Sequence, residues 1–312
     1  MKKLTQNKVA ESTLAFPMTC VYTVAVWLMC GLVEQEWWLQ IGCFAITTYL
    51  VVLLNNMNAL IRIYSRMISC TFLVLTCCAC FLFPLTEGAI ASLFLAVTYL
   101  FLFQTYQDKT AVGKTFYAFV AFGLASLGYV HILYYIPLLW LLMGTNIWSL
   151  SWRTWAASLL GMLTPYWFAL CWFAYQGNPM ALLQHFLPLG DFQPPFDYSA
   201  VTTGQVAVFA LLVVLLLTGI IHFVRQGYAD SIRIRMLYGF FVWIGLLTIV
   251  FLVLQPQHYD LLLRVLILST APLTAHFITF TSTKTTNVAF FIIIALAVLI
   301  TAYNLWTILS LY

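Results

Sequence analysis

The chain reads as a succession of apolar runs, each about 17–24 residues long, parted by short polar gaps. The runs fall near residues 15–33, 37–54, 67–85, 88–104, 152–175, 204–224, 236–254, 264–280 and 288–310. These lengths suit α-helices that cross a bilayer, and none shows the two-residue alternation of a barrel strand. A helix also satisfies its backbone polar groups internally, as lipid demands. The pattern predicts an all-α, polytopic transmembrane helical bundle, with residues 1–312 forming one integral membrane domain.

One run has an awkward length. Residues 115–144 contain no charged side chain, and Lys114 and Arg153 flank them. Thirty residues are long for one crossing and short for two. Basic residues near span ends favour the cytoplasmic side, so charge decides between the two. Crossing twice gives about eleven spans and puts twelve of the thirteen Lys and Arg inside, with Arg264 alone outside. Crossing once leaves eight inside and five outside. The double crossing is therefore expected, with a cytoplasmic N-terminus and an extracytoplasmic C-terminus. Halves of about 15 residues reach only about 22 Å against a hydrocarbon core of about 30 Å. The expectation is a short sunken hairpin turning at 123–128. Small residues (Ala121, Gly123, Ala125, Ser126, Gly128) allow close packing there, and His131 lies beside the tip.

Composition agrees. The chain is 63% hydrophobic and 7% charged, too little polar surface for a soluble domain. The net charge of +4 is scattered in small basic clusters between runs, which reads as orientation signals and argues against a nucleic-acid partner. Lys2, Lys3 and Lys8 precede a run long enough to span with no small-residue cleavage pattern after it, so a retained first helix is expected. Trp37 and Trp38 at the outer edge, and Trp148, Trp152 and Trp155 at the inner edge, suit an aromatic belt. All eight cysteines lie in or beside apolar runs, where a thiol is a small packing residue. Cys77, Cys78 and Cys80 have no His or carboxylate near them in sequence, so no metal is expected. No Walker loop, HExxH, GxSxG or dinucleotide fingerprint is present, and no cofactor is implied.

Candidate chemistry gathers in the outer connections. Glu34 and Glu36 occupy the first and Glu87 the second. The longest, 177–203, holds His185, Asp191 and Asp197. Residues 180–187 suit a short interfacial helix, with Phe186, Phe192, Phe196 and Tyr198 dipping into headgroups and four prolines (Pro179, Pro188, Pro194, Pro195) breaking the rest. A lid and a plain cover are both open readings of it. His258, Asp260 and Arg264 fall within seven residues and are candidates to converge on one phosphate or carboxylate. The alternative is an interfacial arginine paired with Asp260. Within the spans, His276 is a candidate proton carrier or ligand, with no mid-span acid to partner it. His222 reads as an interfacial residue near Arg225. Arg62 and Arg66 share one helical face in an inner connection, suited to anionic headgroups or to anchoring.

Two stretches carry a resemblance. Asn55–Asn56 through Phe83–Pro84–Leu85, and the segment from Gly123 through Trp152–Arg153–Thr154–Trp155 to Gly161 and Pro165, resemble an uncharacterised family of bacterial multi-pass inner-membrane proteins over about 50–170. That resemblance implies location and architecture. A more distant similarity is to multi-pass glycosyltransferases that use polyprenyl-phosphate sugars. It rests on the late proline-containing helix from Arg264 to Pro272, and on Glu34 or Glu36 where those enzymes carry a catalytic acid in the first outer loop. In those enzymes that loop is long, whereas here it is a few residues. The similarity implies Glu34 or Glu36 as a base and Arg264 as a phosphate clamp for an anionic, lipid-linked substrate at the outer leaflet, and the spacing of His258 and Asp260 makes them candidates beside Arg264. A transporter or flippase that uses a wet cavity around His131, and a non-catalytic scaffold with membrane-protein partners, are the other two expectations.

Overall fold

The computed structural model describes residues 4–178, 180–190, 195–199 and 201–310; Lys2, Lys3, Pro179, Asp191, Phe192 and Pro194 lie outside these. Among the described residues the fold is all helical. Thirteen α-helices follow one another: α1 (Thr5–Glu11), α2 (Ala15–Met29), α3 (Trp38–Asn58), α4 (Met67–Cys78), α5 (Thr86–Phe103), α6 (Val112–Gly128), α7 (Ile136–Thr145), α8 (Trp152–Tyr175), α9 (Met180–Phe186), α10 (Thr203–Gln226), α11 (Ile232–Leu254), α12 (Tyr259–Phe280) and α13 (Lys284–Leu309). Seven helices (α3, α5, α8 and α10–α13) are long and apolar enough to cross a membrane. They become eight if α1 and α2, bent by 87° at their junction, count as one. That is fewer than the eleven expected. The difference lies in three shorter apolar helices: α4, α6 and the segment Val130–Thr145.

The helix α12 is the axis of the bundle. Its span is 94% buried, against 28% for α8 and α13, and α1, α4, α5, α10 and α11 pack round it. The apolar periphery of α8 and α13 is what lipid would cover.

Burial explains how α4 can be short. Eleven of its twelve residues are buried, so it faces protein on all sides and need not match a bilayer. Its early end leaves carbonyl groups without intrahelical partners. Asn304 of α13 donates to the Cys78 carbonyl at 2.8 Å, and Arg264 of α12 donates to those of Leu82 and Leu85.

The 115–144 run divides as expected into two short helices, but the turn lies elsewhere. Residues 123–128 are helical, and the chain breaks at Tyr129, whose backbone is extended (φ −146°, ψ 97°). The small residues there serve packing. A Cβ on Gly123 would lie 2.7 Å from the Met162 carbonyl, and one on Gly161 would strike the Phe116 carbonyl. These contacts, with Ser126 Oγ at 2.6 Å from the Tyr166 hydroxyl, show α6 and α8 running parallel. The chain between them therefore doubles back. It returns beside α11, with Tyr135 bonded to Thr248 at 2.8 Å and Asn146 donating to the Met236 carbonyl at 3.1 Å. The hairpin arms are splayed, α6 lying against α5 and α8.

The connection 177–203 covers this break. It forms the expected short helix, α9, followed by a 3-10 turn over Leu187–Gly190. His131 Nε2 donates to the Pro188 carbonyl at 3.1 Å, Tyr134 to that of Leu189, and His185 Nε2 to that of Ser126 at 3.1 Å. These bonds satisfy backbone that lipid would leave bare.

Candidate functional site

The bundle has two chemically distinct ends. One carries most basic residues, tied by Arg233 Nη2 to Asn58 (2.8 Å), Arg62 Nη1 to the Ala229 carbonyl (3.0 Å) and the Ser151 hydroxyl to the Lys109 carbonyl (2.9 Å). The other carries Glu34, Glu36, Glu87, His131, His258, Asp260 and Arg264.

At this acidic end the sequence-predicted residues fall into three groups. His131 and His258 come together, their imidazoles tilted by 32° with centroids 3.8 Å apart. Gln257 donates to His258 Nε2 at 3.1 Å, which leaves Nδ1 to donate to the Tyr129 hydroxyl at 3.3 Å. Both ring nitrogens of His258 are thus engaged, and the pair packs under the α9 connection.

Arg264 turns away from them. Its guanidinium lies across α5, where a Cβ on Gly88 would sit 2.7 Å from Nε. One terminal nitrogen caps the carbonyls of Leu82 and Leu85; Nε is buried and has no hydrogen-bond partner. Asp260, one turn earlier, forms no ion pair with it within 4 Å. Arg264 lines a cavity of about 20 Å³ with Gln40, Thr76, Ser92, Trp27 and Phe44, room for about one water. Trp27 stacks on Phe83 at 3.8 Å on one side of it. Gln40 Nε2 donates to Thr86 Oγ1 at 3.0 Å, holding the start of α3 to α5.

Trp27 and Phe44 also line a second, larger space. A groove of about 340 Å³ runs between α2, α3 and α4, walled by Phe16, Cys20, Val24, Ile41 and Leu73 among others. Arg66, at the basic end, is part of its lining. The Arg66 guanidinium is near the rings of Phe16 and Tyr64, each at 5.9 Å, and meets no carboxylate among the described residues. An apolar trough with a guanidinium near its end suits an acyl or prenyl chain with an anionic head.

Glu34 and Glu36 are the third group. Both are exposed, and neither lines the Arg264 cavity or the groove. They lie on the connection that joins α2 to α3, two of the groove's walls, at the acidic end. Glu36 adopts a left-handed conformation (φ 53°), which reverses the chain there. Asp197, in the long connection, accepts from the Ser199 amide at 3.1 Å; that bond and the Ser199 hydroxyl hold its carboxyl below the usual range.

Sequence reasoning missed the partner of His276. The acid comes from the turn after α10, outside the spans. Asp230 Oδ2 lies 2.9 Å from His276 Nε2, and Oδ1 lies 3.1 Å from Arg62 Nε. The side chains of Asp230 and His276 are fully buried. Arg62 is therefore engaged in an ion pair, and a 4.3 Å approach to the Phe280 ring adds a cation–π contact. His222, expected at the interface, is buried beside His276, ring centroids 5.3 Å apart. One signal was available: Asp230 is an isolated acid among Arg225, Arg233 and Arg235, on the side where acids are few.

The cysteines pack. Cys77 Sγ contacts Thr23 Oγ1 at 3.6 Å, and Cys78 Sγ the Ala297 carbonyl at 3.5 Å. Among the described residues no group of three His, Cys, Asp or Glu is placed to hold a metal ion.

No protein-family model matches the chain, and no curated protein or solved structure matches it.

Proposed function

We propose that the chain is a bacterial inner-membrane protein that crosses the bilayer eleven times, N-terminus cytoplasmic, and handles an anionic, lipid-linked envelope substrate. The parallel packing of α6 and α8 supports the eleven-pass count, because the intervening segment has to return. The gathering of basic residues at one end supports the orientation. Cysteines introduced one at a time at Lys109, Arg153 and Asp197 in a cysteine-free background test both. A membrane-impermeant maleimide should label position 197 from outside and the other two only after lysis. Labelling of position 153 from outside would sink the topology.

The observation that carries the substrate reading is the open apolar groove between α2, α3 and α4, with Arg66 in its lining and Arg264 behind its opposite end. Arg66 lines it at the basic end. Beyond Trp27 and Phe44 lies Arg264, with its unpartnered Nε. The substrate's hydrocarbon chain occupies the groove, and its phosphate reaches Arg264 once the Trp27–Phe83 stack shifts, since the present cavity is water-sized. Glu34 and Glu36, on the connection over the same end, are then within the region of the headgroup. That is the arrangement a glycosyltransferase-like reaction needs, with one of them as base.

Arg66 favours a second reading. One groove with cationic stations toward both ends also suits a lipid that changes leaflet, as in a flippase. Purification in native-lipid nanodiscs followed by lipid extraction tests the shared premise. A phosphate-bearing lipid should be retained, and Arg66→Gln or Arg264→Gln should each reduce retention about tenfold, as loss of a charge-assisted hydrogen bond predicts. Equal retention of neutral lipid by all variants would overturn it. Transfer of a fluorescent lipid phosphate between leaflets of proteoliposomes then favours the flippase. Retention without transfer, with turnover lost in Glu34→Gln or Glu36→Gln, favours the transferase.

A further inference from the structure

The basic end of α12 holds chemistry that lipid binding does not use. Asp230 and His276 form a fully buried pair at 2.9 Å, and Arg62, with its side chain 37% exposed, is the member that reaches the surface. His276 Nδ1 and His222 Nε2 are both buried without hydrogen-bond partners. So is the hydroxyl of Tyr238, whose ring lies 4.9 Å from that of His276. The side chains round His276 thus come from α10, α11 and the two connections that bear Arg62 and Asp230. α1 meets this end of α12 through neutral Gln6 and Asn7, which bond Thr281 and Thr279, and α4 meets it through the Thr71 hydroxyl on the Ala271 carbonyl. The ionisable groups facing His276 are therefore Arg62, His222, Asp230 and Tyr238.

We propose that His276 and His222 form a binding site for one exchangeable proton, with Asp230 as its counter-charge and Arg62 as the group that closes it at the surface. With both imidazoles neutral, Arg62 and Asp230 cancel in charge. Neutral His276 donates its Nε2 hydrogen to Asp230, so the lone pair on Nδ1 is the acceptor that takes the proton. The resulting imidazolium keeps its hydrogen bond to the carboxylate, which stabilises the charge. A second proton would put two like charges on rings 5.3 Å apart with no further carboxylate beside them among the described residues, so the pair holds one. The sequence alone offered His276 without a partner; the geometry supplies acceptor, counter-ion and a neighbouring imidazole. This site stands independently of the lipid reading.

The chain has five histidines, few enough for each to be assigned by its own His→Gln variant. Full-length protein with ¹⁵N/¹³C-histidine in nanodiscs, followed by NMR from pH 8 to pH 5, reads protonation and tautomer at each ring. His276 should be the Nε2–H tautomer at pH 8 and take up a proton on acidification, with the His222 signals moving at the same midpoint. Asp230→Asn should lower that midpoint by a unit or more. Arg62→Gln, which removes the positive charge nearest the pair, should raise it. A His276 that stays neutral throughout, even in Arg62→Gln, would overturn the proposal. So would a midpoint that neither variant moves, or full protonation of both rings within the same range.

Discussion

Arg264 and His276 sit twelve residues apart on the same buried helix, about 18 Å along its axis, yet their surroundings have opposite logic. At the His276 end a carboxylate arrives from a connecting turn and forms a closed set with Arg62. At the Arg264 end no carboxylate among the described residues lies within ion-pair distance, and the guanidinium is held by neutral carbonyls. A buried carboxylate already paired with a guanidinium and an imidazole is self-contained and has room only for a proton. A buried cation held by dipoles keeps its net charge, and so keeps its attraction for an anion from outside. Two ends of one α-helix thus carry two different capacities, set by what the connections deliver to them.

The largest effect should come from opening the closed set. Asp230→Ala strands Arg62 and His276 beside an empty site, and breaking a buried pair typically costs about 3–5 kcal/mol. A thermal unfolding scan in detergent should show a lower melting temperature than for Asp230→Asn, which keeps the shape and a hydrogen-bonding group. Asp230→Asn should itself melt below the parent; if it melted like the parent, the charge at 230 would not matter, and the contrast between the two ends would lose its basis.

Next comes the seat of Arg264. Gly88→Ala puts a methyl group 2.7 Å from Nε, so the guanidinium has to leave its position across α5. Overpacking of this kind costs about 1–3 kcal/mol. The double variant Gly88→Ala/Arg264→Gln should be less destabilised than the sum of the singles, because the second change removes the clash. Additive costs would show that Gly88 serves something other than the arginine.

Much of this architecture was legible in the chain. The spans show as apolar runs, and the charges flanking 115–144 predicted a double-back that the parallel packing of α6 and α8 supports. Residues 123–128 misled because small residues serve a tight turn and a tight helix contact equally well. Only the position of the Met162 carbonyl distinguishes the two. His276 seemed partnerless because periodicity assigns residues to spans and cannot show that a connection folds inward. Asp230 is forty-six residues from His276 in sequence and 2.9 Å from it in space. Arg264 stood out as the exception to the charge rule, whereas its caps on Leu82 and Leu85 depend on α4 ending early, which composition does not reveal.

A smaller effect is expected where the acidic end is covered. His131→Ala removes the bond to the Pro188 carbonyl and the stack on His258, a loss of about 1 kcal/mol. Since His131 anchors the α9 connection, brief proteolysis should cut 177–203 faster in the variant while melting changes by only a few degrees. Unchanged cleavage would assign the anchoring to Tyr134 and His185 alone.

The smallest effect on stability should fall on Glu34 and Glu36, and this makes them informative. Both are exposed, so each charge is already solvated, and replacing either with Gln should alter stability by no more than about 0.5 kcal/mol. Asp230 is the reverse case, a carboxylate whose burial ties it to the fold. A stability scan and a lipid-turnover assay on the same samples therefore separate the two kinds of acid. Glu34→Gln or Glu36→Gln that melts like the parent but turns over no lipid-linked substrate marks a reacting carboxylate. Full turnover in the double variant would remove the transferase reading and leave the groove, with Arg66 and Arg264 toward its ends, to the flippase.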